Sequence, residues 1–406
     1  MSLYDKASLV QIPSGTKDGT LYSVLPANGN GDFTHTRASS ATRVNKDGLI
    51  ESVASGVPRL DYPLIGGVVQ SCPALLLEPS RKNDLTYSEF TNADPVGWTL
   101  GFGTGTYDYD LVSYKGRGAL KQTQTTIGRS YQYQNVTLLA STTYTLSMYV
   151  DISNSNVTNL GEDIMHVIAD DETGDNTAEW QDIDTNTGRV SITFTTGSDT
   201  SVQIRIGLGV TGNTLAPNQV LTYSMPQLEA GSYPTSYIPT SGSSVTRSAD
   251  VCNGAGTSAE FNDTESSWFV ELQGLAEDNT NKYISISDGG GSPYTNSLSI
   301  QYRNNGTLRI FHNGLDFADA IFVGGSSFDL TENHKIAIRF KENDMAVYID
   351  GVSQSLSGSF VYQSISGLNT LRFEQPNAGN AFYGKVKQLM VFNEALTDAE
   401  LATLTS

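Results

Sequence analysis

The chain has 406 residues, 17% of them charged, with 39 glycines, 20 tyrosines and a formal net charge of −19. That length exceeds one compact core and predicts two or three domains. Few charges, much glycine and many hydroxyl and amide side chains suit short strands and tight turns, and argue against helical bundles. The charge is uneven: residues 1–90 carry −1, residues 91–245 carry −9 and residues 246–406 carry −9. An acidic surface repels phosphate backbones, so nucleic-acid binding and unassisted binding of polyanionic glycans are disfavoured, while neutral sugars and protein partners fit. No apolar run approaches the roughly 20 residues that cross a bilayer, which predicts no membrane insertion. The opening MSLYDKASLVQ lacks a signal-peptide h-region, so the expected start is Met1 in a cytoplasm. Cys72 and Cys252 are too few and too far apart for a disulfide scaffold, and both are expected to be buried as small apolar residues.

The first ninety residues have no clean hydrophobic period. From Trp98 onward, period-2 alternation takes over: Tyr144, Leu146, Met148 and Val150 point one way against Thr143, Thr145, Ser147 and Tyr149. Val190, Ile192 and Phe194 repeat the pattern, as do Val202, Ile204, Ile206 and Leu208. Pro234, Pro239 and Gly242 mark the expected linker to the next region. There, Trp268 to Leu272, Tyr283 to Ser287 and a hairpin of Leu298 to Tyr302 with Leu308 to His312 about Asn304, Asn305 and Gly306 supply strands. HKIAIRFKENDMAVYIDGV, His334 to Val352, is a second hairpin, and FYGKVKQLMVFNEALTDAELATL, Phe382 to Leu404, a strand entering a short helix with Thr397 and Glu400 as a capping box. No helix beyond about 15 residues fits anywhere in residues 95–406.

These last two segments resemble the closing strands of the laminin-G/pentraxin branch of the concanavalin A-like fold. FTHTRASSATRVNKDGLIESVASGVPRLDYP, Phe33 to Pro63, and PALLLEPSRKNDLTYSEF, Pro73 to Phe90, resemble an N-terminal module shared by tailed-bacteriophage fibre and adhesin proteins. The same frame returns at QLEAGSYPTSYIPTSGSSVTRSADV, Gln227 to Val251. Between them, the middle region resembles the jelly-roll carbohydrate-binding modules inserted in such proteins. The expected architecture is therefore all-β: a virion-attachment module over residues 1–94, a carbohydrate-binding-module-like jelly roll over 95–244, and a concanavalin A-like sandwich over 245–406. The resemblance implies a non-catalytic protein of the virion surface that holds other virion proteins through its N-terminal module, displays host-glycan-binding sandwiches outward, and forms a homotrimer. A polysaccharide-degrading virion enzyme and a capsid decoration protein are the alternatives.

Catalytic patterns fail one by one. Glycosidases of this fold need paired carboxylates facing one cleft. The nearest approach, Glu342 and Asp344, has Val347 where the acid should stand and falls in a hairpin turn. None of His35, His166, His312 or His334 sits in a lyase context, and surface or hydrogen-bonded roles are expected for them. Gly379 to Lys385 mimics a phosphate loop but continues with Val386 into a strand, and Gly207, Gly209 and Gly212 mimic a dinucleotide fingerprint with no helix after it. No catalytic residue, cofactor or metal is assigned. One cluster, Asp170, Asp171, Glu172 and Asp175, is a calcium candidate, weighed against a solvated turn.

Sugar rings stack their CH faces on aromatic side chains while amides and carboxylates bond the hydroxyls. On that ground the candidate carbohydrate-binding residues are Tyr107, Tyr109 and Trp180 in the middle region and Tyr294 and His312 in the last, each against the alternative of structural packing.

Overall fold

In the computed structural model, residues 2–13, 15–17, 19–65, 68–101, 107–151, 164–169, 175–177, 187–198, 200–209, 216–290, 295–312, 321–323, 328–357 and 364–406 are described. The chain is almost wholly β. Among the described residues helix is limited to Leu3–Lys6 and Asp398–Thr405, neither long nor apolar enough to cross a membrane.

Two large sheets form one sandwich. The first has eight strands. Val352–Ser353, Ala346–Ile349, His334–Lys341, Glu265–Gly274, Gly384–Phe392, Ala74–Leu77 and Arg59–Asp61 run in that order, and Leu9–Gln11 also pairs Gly384–Phe392. The second has ten strands and includes Phe33–Thr36, Val251–Ala255, Thr370–Arg372, Lys282–Ser287, Ser297–Tyr302 and Leu308–His312 as consecutive neighbours. Alternation explains the core. Ile336, Ile338 and Phe340 face inward with Trp268, Val270 and Leu272, against Ile284 and Ile300 of the facing sheet. Arg339, on the opposite face, pairs with Asp344 at 2.7 Å and Asp398 at 2.6 Å. Helix Asp398–Thr405 covers part of that outer face, burying Leu401 against Phe269 and Ala337. The expected capping box holds it: the Thr397 hydroxyl accepts from the Glu400 amide and the Glu400 carboxylate accepts from Thr397.

The N-terminal residues do not stand apart as the division at residue 94 expected. Leu75 pairs with Val386, Leu9 with Val391, and Cys252 with His35, so strands from residues 9–77 lie inside both sheets of the C-terminal sandwich. The jelly roll is inserted into this sandwich. The chain leaves through Arg81–Asn83 and returns through Val245–Arg247, and these two strands pair with each other. Between them, two five-stranded antiparallel sheets enclose Leu146, Met148, Ile192, Ile204 and Leu221. Pro234 to Gly242 is not a flexible linker: Thr235, Tyr237, Ile238 and Thr240 are buried, and the Tyr237 carbonyl accepts from the Thr42 hydroxyl at 2.6 Å.

A buried ionic cluster fixes the insertion. Arg59 bonds Glu78 at 2.6 Å and also Asp250. Arg37 and His35 reach the other oxygen of Asp250 at 2.9 and 3.1 Å, and Arg247 lies 2.9 Å from Glu78. Burial alone would raise the Glu78 pKa, but the charges of Arg247 and Arg59 and the Ser236 hydrogen bonds hold it at about 2. The same balance, with Arg59 as the main opposing charge, holds Asp250 well below the usual carboxylate range.

Candidate functional site

The strongest site lies on the C-terminal sandwich, where the Ser297–Tyr302 and Leu308–His312 hairpin turns beside loop 275–281. Gly306 supplies the turn's left-handed backbone at φ +74. The Asn304 amide donates to the Asn281 side chain at 3.1 Å, tying the two segments together. A cleft of about 290 Å³ opens between them, closed on the third side by Phe328 and Leu330.

Tyr302 lines this cleft from the core side. Tyr302 is 2% exposed, its ring packs on Phe328 at 5.6 Å between centroids, and among the described residues no hydrogen bond engages its phenol oxygen. A buried hydroxyl without a partner is costly, on the order of 1–3 kcal/mol, unless a ligand or water completes it. Burial, with a smaller contribution from Asp350, pushes its pKa well up, so it is a neutral donor. Phe328 is half-buried and held in place by stacking on His334 at 4.2 Å. His334 in turn bonds the Asp350 carboxylate at 2.7 Å and the Asp329 carbonyl at 2.8 Å, a structural role of the kind expected for these histidines.

The rim is rich in acceptors. Glu277 is exposed, and among the described residues no hydrogen bond or ion pair engages it. Asn279, Asn304 and Asn305 add exposed amides. Asp278 is different. Burial would raise its pKa, but Lys282 at 2.5 Å and the Thr280 hydroxyl override that and lower it, so this carboxyl stays ionised and is a poor proton donor. An aromatic wall, a buried phenol donor and a ring of amide and carboxylate oxygens can hold a hydroxylated ring of low charge.

The residues chosen from sequence fall elsewhere. Tyr107 and Tyr109 lie on edge strand Tyr107–Tyr114 of the jelly roll with rings 4.9 Å apart, edge to face. Tyr109 packs against the jelly-roll core and its hydroxyl is buried, which is a structural placement; Tyr107 is half-exposed. His312 ends its strand opposite Leu298. Trp180, Tyr294 and the Asp170, Asp171 and Glu172 cluster lie outside the described residues, and Asp175 is seen only as the first residue of strand Asp175–Thr177. Among the described residues no group of His, Cys, Asp or Glu gathers to hold a metal. Asp344 is spent on Arg339, and His35 on the buried cluster. Cys252 is buried as expected, but Cys72 is exposed, because it precedes strand Ala74–Leu77 and belongs to no strand itself. Sequence reasoning saw the Asn304-Asn305-Gly306 turn but missed Tyr302 and Phe328. The signal for Tyr302 was its place as the last inward residue before that turn.

Comparison with known proteins bears on this same region. The model of the Concanavalin A-like lectin/glucanases superfamily, a laminin-G type, matches residues 259–402. No curated protein matches the chain. Solved structures similar to it include the CBM40 of Ruminococcus gnavus IT-sialidase bound to α2,3-sialyllactose, at 13% identity and TM-score 0.31 over 36% of this chain and 84% of that one. The native heptameric SAP-like pentraxin of Limulus polyphemus matches at 18% identity and TM-score 0.28 over 35% of this chain and 70% of that one. Trypanosoma rangeli sialidase matches at 11% identity and TM-score 0.29 over 73% of this chain and 62% of that one. Residues 259–402, and with them the Tyr302 cleft, therefore lie in a β-sandwich of the concanavalin A-like lectin/glucanase type.

Proposed function

We propose that this chain is a non-catalytic glycan-binding protein of a bacteriophage surface, a fibre or an attached adhesin made in the host cytoplasm. In this reading the Tyr302 cleft holds host-surface sugar, the chain assembles as a homotrimer, and its N-terminal part meets other virion proteins. The observation that carries the binding claim is the buried phenol of Tyr302, without a hydrogen-bond partner among the described residues, beside the half-buried ring of Phe328 in a rim of amides. The viral setting rests on the fibre-like phrases at residues 33–63, 73–90 and 227–251. Asp278, whose pKa Lys282 and Thr280 lower, is a poor proton donor for glycoside cleavage, which fits the non-catalytic reading of this cleft.

The test is retention of the full chain on immobilised host-surface glycan, together with an assay for released reducing ends. Tyr302→Phe and Phe328→Ala should weaken retention while leaving the thermal midpoint of Tyr302→Phe close to that of the parent. No reducing ends should appear. Retention unchanged in both variants would remove the cleft as the binding site, and no retention by the parent would leave virion decoration as the reading. Antibody-labelled negative-stain imaging of particles checks the location.

A further inference from the structure

We propose that the seam between the inserted jelly roll and the lectin-type sandwich is a second saccharide site, one that takes a sugar bearing a single carboxylate. A cavity of about 300 Å³ lies there, lined by Tyr149 and Arg189 of the jelly roll, Asp61 of the N-terminal strands, and Gln273 and Lys385 of the sandwich. That is the lower end of ligand-site volumes and suits one sugar ring.

Arg189 is the group that selects charge. It donates to the Thr235 carbonyl at 2.5 Å and the Ser147 hydroxyl at 2.9 Å, and its guanidinium lies 5.4 Å from the centre of the Tyr149 ring. Its Nε is buried, and among the described residues it has no hydrogen-bond partner and no carboxylate pairs with the guanidinium. The neighbouring charges are already matched. Arg43 lies 2.6 Å from Glu51, Lys385 lies 3.0 Å from Asp61, and Glu78 is held by Arg59 and Arg247. Arg189 is thus left with a positive charge in a chain whose net charge is −19. Its planar donors match a carboxylate. A phosphate dianion would face Asp61 and Glu78 across the same small space. Among the described residues nothing engages the Tyr149 hydroxyl, which burial keeps protonated and able to donate to a sugar oxygen.

The larger neighbouring groove, about 850 Å³ over Glu271 and Gln388, has no such excess. Glu271 accepts from Asn333 at 3.1 Å and Gln388 at 2.8 Å and lies 3.2 Å from Lys387. The saccharide class of the seam ligand rests on the function proposed above; the carboxylate rests on Arg189 alone.

The test titrates the full chain with glucuronate, glucose and inorganic phosphate by calorimetry, with saturation-transfer NMR for weak binding. Glucuronate should bind at least about tenfold more tightly than glucose or phosphate, the effect of one charge-assisted contact. Arg189→Gln should lose about that factor. Because Arg189 also braces Ser147 and Thr235, Lys385→Met serves as the second variant: it leaves the Asp61 carboxylate unpaired in the cavity, which should repel and so weaken glucuronate. Tyr302→Phe, in the other cleft, should leave glucuronate affinity unchanged, which separates failure of this site from failure of the first. Absence of glucuronate binding, equal binding of glucose, or unaltered affinity in both seam variants would overturn the proposal.

Discussion

Glu78 and Arg247 meet 2.9 Å apart, one just before the chain departs into the jelly roll and the other just after it comes back. Each is buried. Closing the insertion with a charge pair couples the exit and return strands, since losing Arg247 leaves Glu78 only Arg59 as an opposing charge in the interior. Asp250 extends the same logic to the sandwich: it accepts from Arg59, Arg37 and the Glu78 backbone amide, joining three N-terminal strands to the segment that follows the insertion.

Arg59→Met should therefore cost up to about 3–5 kcal/mol, because it removes the guanidinium that bridges the buried Glu78 and Asp250 and leaves them to Arg247 and Arg37. The measurement is urea unfolding of the full chain. A loss below about 1 kcal/mol would mean that water or the remaining arginines compensate, and the clamp would be dispensable. Replacing both Arg59 and Asp250 by apolar residues should be milder than the sum of the single changes.

Acid should weaken the same joint. Glu78 and Asp250 have folded-state pKa values below their unfolded ones, so their contribution is fully present above about pH 5 and disappears as the pH falls towards 2. Thermal midpoints measured between pH 6 and pH 2.5 should drop steadily. In Glu78→Gln, already less stable at neutral pH, the drop should be shallower. A parent midpoint flat over that range would contradict the linkage.

The C-terminal sandwich was legible because its strands alternate: Ile336, Ile338 and Phe340 against Arg339 and Lys341 reads directly as one buried and one exposed face. The N-terminal strands were not. Arg59–Asp61 and Phe33–Thr36 bury charged and polar side chains, His35 among them, whose partners lie beyond the insertion, so no local period marks them. Phrases such as VPRLDYP and VTRSADV carry charges that look like surface groups in the sequence and work as mutual internal partners in the fold. The binding cleft was hidden for a related reason. Tyr302 and Phe328 are neighbours only after folding, whereas Tyr109 in a polar stretch looks exposed and is packed against the core.

Gly118 marks where the N-terminal segment crosses the jelly roll. A Cβ there would lie 1.9 Å from the Phe90 carbonyl oxygen, a backbone atom that cannot rotate away. Gly118→Ala should lower the thermal midpoint more than Gly197→Ala, where an added Cβ meets nothing within 4 Å. Equal effects at the two sites, read by differential scanning calorimetry, would show that the crossing is looser than this contact requires.

Attachment through the Tyr302 cleft should be weak for one copy and strong for many. The cleft is about 290 Å³, open, and offers one half-buried ring with a few polar partners, so a single site should bind host glycan at roughly micromolar to millimolar strength. Several copies held on one particle gain about 10²–10⁴ in avidity without a new contact. Because the rim carries Glu277 and no unpaired surface cation is needed to hold a neutral ring, that binding should change little between low and high salt. The comparison is surface plasmon resonance of the free protein against the same protein coupled to nanoparticles, each with parent and Phe328→Ala chains. Monovalent affinity in the nanomolar range, or avidity that survives Phe328→Ala, would place the adhesive surface somewhere other than this cleft.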